Sequence, residues 1–559
     1  MNILGVSCYY HDAAACLLQD GKVVAAAQEE RFTRKKNSAD FPVNAINYCI
    51  EAGDISFNDI DYIGFYEKPF LKFYRAVVNH LSSYPFSLKN FLDTMPIWLK
   101  DRLIMPLVFK KELGFNGKTL FIKHHLSHAA SAFLVSPFEE AAILTADALG
   151  EWATTTCGIG RGCDIQILRE MRYPHSLGLL YTAVTTYLGF EALRGEGKVM
   201  GLAAYGEPTY LDRLKEIVTV RPDGSFRLDE RFFGFNSGSR MYSCRFVKAF
   251  GKARCPEDKV EQRHRDMAAS LQALVEEIII TIARNLYSET RMDSLCLAGG
   301  VFLNCLLNRR LLEETPFKEV FIQPAAGDSG GALGAASYIY HSILKNPRTF
   351  VMRDAYLGPE FSKDRIRNIL NNSGLSFKEL IEEETARYTA RLLSEGKAVG
   401  WFQGRMEWGP RALGNRSILA DPRNPAAKEI LNSRVKKREP FRPYAPAVLE
   451  EKASEFFELE CESPFMLLAP RVREEKRALI PGATHVDGTA RVQTVSNDTN
   501  PRFRRLIEEF EKLTGVPILI NTSFNLRGEP IACTPEDAIS CFKRSDMDSL
   551  VLEDFAVER

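Results

Sequence analysis

His124 and His128 stand four residues apart, so on a helix both imidazoles face the same way, about one turn from each other, as in helices that chelate a metal. His125 points away from that face. Asp147 closes the apolar run 141–146, and Asp328 lies inside the glycine-rich stretch 327–334. Imidazole with carboxylate suits Fe(II), Mn or Zn, and the donor set does not choose among them. Two glycine turns, Gly299-Gly300-Val301 and the run 327–334, each follow a strand pattern and precede a helical one. Backbone N–H groups at a helix start attract phosphate, and missing side chains let it come close. Gly299, Gly300, Val301 and Asn304, the last one turn into the helix, are therefore read as a nucleotide cradle. Lys198, within the glycine-rich segment 195–206, is a further candidate for meeting a phosphate, although a loop packed on the core would explain the same residues. Together these residues describe an enzyme with a metal and a nucleotide.

Side chains of this kind need strands that end at them. Residues 119–122 read as a short strand leading into His124, and 141–146, 294–297 and 320–323 as buried strands running into Asp147 and the two glycine turns. Strand, glycine turn, helix is the α/β arrangement in which ligands sit at the carboxyl ends of strands. The first thirty residues predict a meander of three strands, 3–7, 13–18 and 23–27, with Tyr9-Tyr10-His11-Asp12 as a polar hairpin tip. Actin-like ATPases and sugar kinases open in a similar way, with that tip facing the nucleotide phosphates. Residues 267–287 have the period of a long amphipathic helix. The pattern lapses between Asn346-Pro347 and Gly358-Pro359, which predicts domains over 1–345 and 360–559.

Composition excludes several classes. The 559 residues exceed one ordinary core, and 45% hydrophobic with 26% charged residues describe a globular chain. Lys plus Arg and Asp plus Glu number 72 each, so no global field recruits nucleic acid or an anionic membrane. The 12 cysteines form no Cys-x-x-Cys pair and read as reduced, mostly buried thiols. The N-terminus has neither a basic n-region nor a long apolar h-region, and no apolar stretch approaches the ~20 residues of a membrane span. A cytoplasmic protein without a membrane partner is expected. The insertion 65–107, rich in aromatics and broken by Pro69, Pro85 and Pro96, is read as helical with a core-packing or lid role rather than a membrane-facing one, because Lys and Arg punctuate it throughout.

The second domain carries a local charge excess. Between Arg405 and Arg442 there are ten Lys/Arg against four Asp/Glu, among them Arg405, Arg411, Arg416, Lys436 and Arg442, interleaved with Gly404, Gly409, Pro410 and Gly414. Trp401, Trp408, Phe441 and Tyr444 accompany them, which argues for a half-buried surface gripping a compact anion; a nucleic-acid groove is the rival reading. A strand over 517–520 ends in the polar tip 521–528, placed to converge on the same anion. Thr534-Pro535-Glu536-Asp537 starts a helix with a cap and a proline at its first position.

Taken in order, His11-Asp12, the segment 29–36, the His124/His128 pair, 195–206, 299–304, 327–334, Trp408-Gly409-Pro410-Arg411-Ala412-Leu413-Gly414-Asn415-Arg416, Lys436-Lys437-Arg438-Glu439-Pro440-Phe441-Arg442-Pro443 and 521–528 resemble the O-carbamoyltransferase family of nodulation-factor and antibiotic biosynthesis. The resemblance covers nearly the whole chain. It implies an α/β fold with an actin-like, duplicated ribonuclease-H-like N-terminal domain similar to the tRNA threonylcarbamoyl transferase. It also implies a C-terminal α/β domain similar to threonylcarbamoyl-adenylate synthase. In such enzymes the C-terminal domain converts carbamoyl phosphate and ATP, with Mg²⁺, to carbamoyl-adenylate, and the N-terminal domain passes the carbamoyl group to an acceptor hydroxyl. By resemblance His124, His128, Asp147 and Asp328 are the ligands of a metal, usually Fe²⁺. Arg411, Lys436, Arg442, Arg491, Asn525 and Arg527 are the carbamoyl-phosphate and ATP site, and His11 and Lys36 belong to the transfer site.

A hydrogenase-maturation carbamoyltransferase would carry Cys-x-x-Cys pairs, which this sequence lacks. A tRNA-modifying fusion and a non-catalytic actin-like nucleotide-binding regulator are the alternatives; neutral charge weighs against the first. The acceptor, a hydroxyl-bearing small molecule or sugar, is left open. Tyr9-Tyr10, the insertion 65–107 and the segment 232–255 are read as shaping its pocket. A homodimer is compatible with the sequence.

Overall fold

Apolar residues run almost uninterrupted through β1 (Asn2–Ser7), β2 (Ala14–Gln19) and β3 (Lys22–Gln28), as strands do when both faces of their sheet are covered. With β4 (Tyr62–Phe65) and β5 (Lys118–Phe121) they form a sheet in the order β3-β2-β1-β4-β5. β1 is antiparallel to β2 and parallel to β4, and β4 is parallel to β5. A second sheet repeats the plan. β6 (Glu140–Ala146), β7 (Ala153–Arg161) and β8 (Asp164–Arg172) form an antiparallel meander. After a hairpin of β9 (Val218–Val220) and β10 (Phe226–Leu228), β11 (Ser294–Ala298) and β12 (Glu319–Ile322) add in parallel to give β12-β11-β6-β7-β8. A meander followed by two parallel strands on its first member, present twice, is the duplicated ribonuclease-H-like plan that the family resemblance implies.

The computed structural model describes residues 1–85, 87–235 and 240–559. Phe86 of the insertion and residues 236–239 of the expected acceptor segment lie outside the described residues. The chain divides into two units, residues 1–26 with 39–352, and residues 27–38 with 353–559.

In the first unit the helix Gly330–Ser337 is buried at every residue. A Cβ on Gly334 would meet the Ser127 carbonyl oxygen at 1.8 Å, and one on Gly5 the Ala332 oxygen at 1.8 Å. The small residues of this buried helix therefore let β1 and the helix His124–Phe133 approach it closely, a packing requirement that Gly334 meets.

The second unit is built on one mixed sheet of β13 (Phe377–Glu379), β14 (Val399–Phe402), β15 (Arg416–Ala420), β16 (Ala445–Leu449), β17 (Gln493–Val495), β18 (Ile518–Ser523), β19 (Ser549–Leu552) and β20 (Phe555–Glu558). Their order is β13-β20-β19-β14-β15-β18-β16-β17. Ile418, Ile520 and Leu550 pack into one core with Ile366, Leu370 and Phe542. Their chain neighbours Leu419, Leu519 and Val551 pack into another with Trp401, Phe503 and Phe510. The period of two thus sends alternate residues to helices on opposite faces. The helix Pro535–Arg544 starts with the capping box of Thr534 and Asp537.

Residues 27–38 belong to this unit although the sequence predicts a first domain of 1–345. Phe32 packs against Met406, Ala412, Ile531 and Cys533. Arg34 donates to the carbonyls of Ile531 (2.6 Å) and Pro530 (2.8 Å), and Arg31 to that of Gly409 (2.7 Å). These contacts connect residues hundreds of positions apart, beyond the reach of any local pattern.

Candidate metal centre and anion site

β5 runs into the helix His124–Phe133, whose first N–H groups need acceptors. The buried Glu151 carboxylate takes the His124 N–H at 3.0 Å and also that of Lys68 at 2.8 Å. A negative charge at a helix N-terminus is favourable, and here it also fixes where the two histidines point. Asp147 directly follows β6, and Asp328 precedes the helix Gly330–Ser337. All four residues are buried, and their ligand atoms lie within 4.8 Å of one another. His124 Nε2 stands 3.1 Å from His128 Nε2, 3.2 Å from Asp147 Oδ2 and 3.5 Å from Asp328 Oδ1. Neither Asp328 oxygen accepts a hydrogen bond among the described residues. Two carboxylates buried together are costly without a compensating charge. Two imidazoles and two carboxylates converging on one point fit a divalent cation.

The electrostatics carry the same signature. Burial works to raise Asp147, but hydrogen bonds from His124 and His128 hold it well below the usual carboxylate range. Burial lifts Asp328 above it, against the pull of His11 and His124. His11, at the β1–β2 tip, lies 3.1 Å from Asp12 and 3.9 Å from Asp328. Burial opposes its charged form, yet Asp328 and Asp12 prevail and push its pKa up to about 10. The hairpin tip therefore faces the His/Asp cluster. Its turn places Tyr9 and Asp12 in the left-handed region at φ 70° and 55°, a conformation that Asp tolerates and Tyr seldom adopts.

Gly299, at φ 102°, admits no side chain, since a Cβ would sit 2.2 Å from the Ala146 oxygen. Its N–H donates to Ala326 O at 2.7 Å, and the Gly300 N–H donates to Asp147 Oδ1 at 3.1 Å. The turn thus holds a candidate metal ligand. Val301 continues it into a short 3-10 turn, Gly300–Leu303. Asn304, expected one turn into the helix, is instead the N-cap of the helix Cys305–Glu314, accepting from Leu307 N–H and exchanging two hydrogen bonds with Gln272. Asn304→Ala should lower unfolding free energy by about 1–2 kcal/mol in a denaturant titration, and Asn304→Asp should regain the cap bond to Leu307 but not the donor to Gln272, with ATP affinity unmoved in both. A loss of ATP affinity at unchanged stability would return Asn304 to the cradle. Lys198 lies on the helix Glu196–Ala203 with its amine over the Phe190 ring at 5.7 Å.

In the second unit Lys436 is buried, and its amine reaches Ser523 O (2.6 Å), Asn525 O (2.9 Å) and Asn525 Oδ1 (2.7 Å). Burial, with Arg438, Arg442 and Lys36 nearby, holds it well below the ordinary lysine value. Burial and Arg438 also bring Arg442 down to about 10, with Arg491 adding to the effect. Lys36, Lys436, Arg438, Arg442 and Arg491 thus form one cationic cluster, with Glu439 beside Arg442, and such a cluster could hold an anion. Lys36, expected at the transfer site with His11, is grouped with this unit and acts on Lys436. Arg527 is exposed and lies 3.6 Å from Glu439. Arg411 is half-buried on the loop 404–416, which folds around Glu407, whose Oε1 accepts the N–H groups of Leu413, Asn415 and Arg416 at 2.7–3.0 Å. Two cations of the basic run serve the fold. Arg416 is fully buried and donates to the carbonyls of Gln403, Gly404, Asn415 and Pro359, and Arg405 donates to those of Leu357 and Gly358.

Sequence reasoning passed over Glu151, Glu407 and Arg438. Glu151 follows Asp147 by four residues and Arg438 sits inside a quoted motif, so both were within sight. Glu407 gives no local signal, because its partners form only when the loop closes.

The family model for the carbamoyltransferase N-terminus matches residues 2–337, and that for the carbamoyltransferase C-terminus matches 390–559. The chain is 47% identical to the Synechocystis sp. protein sll1178 over all of this chain and 97% of that one. It is 39% identical to the nodulation protein NolNO of Sinorhizobium fredii, covering 99% of this chain and 79% of the relative. It is 31% identical to the 3'-hydroxymethylcephem-O-carbamoyltransferase of Amycolatopsis lactamdurans over 69% of each. Among solved structures a ROK hexokinase from Thermus thermophilus is 14% identical and covers 61% of this chain and 100% of its own, with a TM-score of 0.30, so the fold assignment rests on the strand order above. With both family models in sequence order along one polypeptide, the chain belongs to the carbamoyltransferase family of enzymes.

Proposed function

We propose that the chain is an ATP-dependent O-carbamoyltransferase that divides activation and transfer between its two units. In the second unit carbamoyl phosphate and water give carbamate and phosphate, and carbamate attacks the α-phosphate of ATP, carried with Mg²⁺, to give carbamoyl-adenylate and pyrophosphate. In the first unit an acceptor hydroxyl attacks the carbamoyl carbon, the C–O bond to AMP breaks, and the carbamate ester and AMP leave. The observation that carries this reading is the pair of buried centres of opposite character, the His/Asp cluster in one unit and the cations around Lys436 in the other.

His124, His128, Asp147 and Asp328 would hold the metal, Fe²⁺ by family resemblance. Bound there, it would supply Lewis-acid polarisation of the carbamoyl oxygen. Glu151 keeps the histidines aimed, and the Gly300 N–H steadies Asp147. His11 sits at the edge of the cluster to handle the acceptor's proton. Its raised pKa reflects the carboxylate field, and once that field is offset His11 falls back toward the range of a base. Lys436, Arg442 and Arg491 neutralise charge on the phosphate groups that leave during activation. The acceptor is a hydroxyl-bearing small molecule or sugar.

The test is incubation of the purified, metal-loaded protein with ATP, Mg²⁺ and carbamoyl phosphate without acceptor, followed by mass spectrometry. Pyrophosphate and carbamoyl-adenylate are expected only when carbamoyl phosphate is present. ATP turnover indifferent to carbamoyl phosphate would defeat the reading.

A further inference from the structure

The helix Pro69–Ser83 is turned inside out. Lys72 and Arg75 are only 3% and 7% exposed, whereas Phe70 and Leu81 are each 70% exposed. A surface helix of a globular protein does the reverse. The inward cations are anchored: Lys72 pairs with Glu67 and lies 4.9 Å from the Tyr10 ring, and Arg75 donates to the carbonyls of Gly150 and Glu151. The inversion is therefore fixed by specific partners. The next helix, Leu88–Lys100, also exposes apolar side chains, Leu92 at 60% and Leu99 at 61%, and so does the helix Met105–Leu113 at Leu107. Ten of the eighteen large hydrophobic residues exposed among the described residues fall between Phe70 and Leu107, a concentration that marks a covered surface rather than scattered exposure.

The charges set among them identify the cover. Lys89, Lys100, Lys110 and Lys111 are exposed on these helices, against the exposed acids Asp93 and Glu112. Apolar side chains interleaved with lysines on short helices, none of which is long and apolar enough to cross a bilayer, match a segment lying in the headgroup region of an anionic membrane. A second copy of the chain would bring two like sets of lysines together. We infer that the helices of 69–113 form an interfacial anchor that seats the first unit on an anionic lipid surface. This reverses the expectation from sequence of no membrane partner: the lysines that argued against a membrane-facing role are the residues that fit a charged one.

The experiment is co-sedimentation of the full chain with vesicles of phosphatidylglycerol and phosphatidylcholine, in parallel with vesicles of phosphatidylcholine alone. Binding to the anionic vesicles is expected, weakened by salt, with the affinity of the triple variant Leu81→Ser, Leu92→Ser, Leu99→Ser lower by about tenfold or more. These side chains are exposed, so the variant should fold and should keep carbamoyl-phosphate-dependent pyrophosphate release. Failure of the wild type to sediment with anionic vesicles, equal binding to neutral ones, or unchanged binding of the variant would each overturn the inference. A concentration-dependent dimer that the three substitutions dissolve, without vesicle binding, would overturn it in favour of a second copy.

Discussion

Alanine in place of His128 should empty the metal centre and stop carbamoyl transfer while leaving pyrophosphate release untouched. His128 Nε2 is 3.1 Å from that of His124 and 3.5 Å from Asp147, so its loss removes one of four converging donors and leaves two buried carboxylates with less to balance them. Bound iron, measured by elemental analysis after dialysis, should fall to background. Transfer to acceptor should fall by roughly 10³-fold, which corresponds to about 4 kcal/mol of lost transition-state stabilisation. Carbamoyl-phosphate-dependent pyrophosphate should appear at the wild-type rate, because every cation proposed for activation lies in the other unit. Equal loss of both reactions in a folded variant would refute the division of labour, and undiminished transfer without metal would refute the metal's role.

The complementary variant is Lys436→Met. It keeps the length of the stem but removes the charge, and should cut pyrophosphate formation by about 10²–10³-fold with metal content unchanged. Transfer from supplied carbamoyl-adenylate should survive. Lys436 also gives the site a pH dependence of definite sign. Burial and its cationic neighbours depress its pKa, and an anion binds the ammonium form. Affinity for inorganic phosphate is therefore full below the depressed pKa and declines as pH rises through it, before an ordinary lysine would titrate. Isothermal titration across that range should show the decline in the wild type and a weak, flatter profile in the methionine variant. A wild-type affinity that does not change with pH would show that Lys436 keeps its proton or does not meet the anion.

The two halves of the candidate machinery were legible to different degrees. His124 and His128 could be paired from their spacing, and the strands leading to Asp147 and the glycine turns could be drawn from apolar runs, because helix and strand periods are local properties. The anion site could be drawn only as a stretch of excess charge. Within that stretch Arg405, Arg416 and Lys436 all donate to carbonyls of the fold, and what sets Lys436 apart is the cations around it, Arg438, Arg442 and Lys36. Charge is a property of sequence, whereas the partner that consumes it is not.

The glycines make the same point in the opposite direction. Phosphate cradles and tight backbone packing both demand a missing side chain, so the run 327–334 fits either reading, and only the Ser127 carbonyl where a Gly334 side chain would go shows the packing role at that residue. By itself the sequence determined the α/β strand pattern and, through motifs read in order, the family and the duplicated plan that the family implies. Only the tertiary structure decided that residues 27–38 are built into the second unit, that Asn304 caps a helix, that Glu151 accepts from the start of the His124 helix and Glu407 holds the loop 404–416, and that the helix Pro69–Ser83 shows apolar side chains to solvent. Those outcomes depend on which unsatisfied N–H, carbonyl or apolar face meets which partner across long stretches of chain, and the free energy of such meetings is set when the core closes.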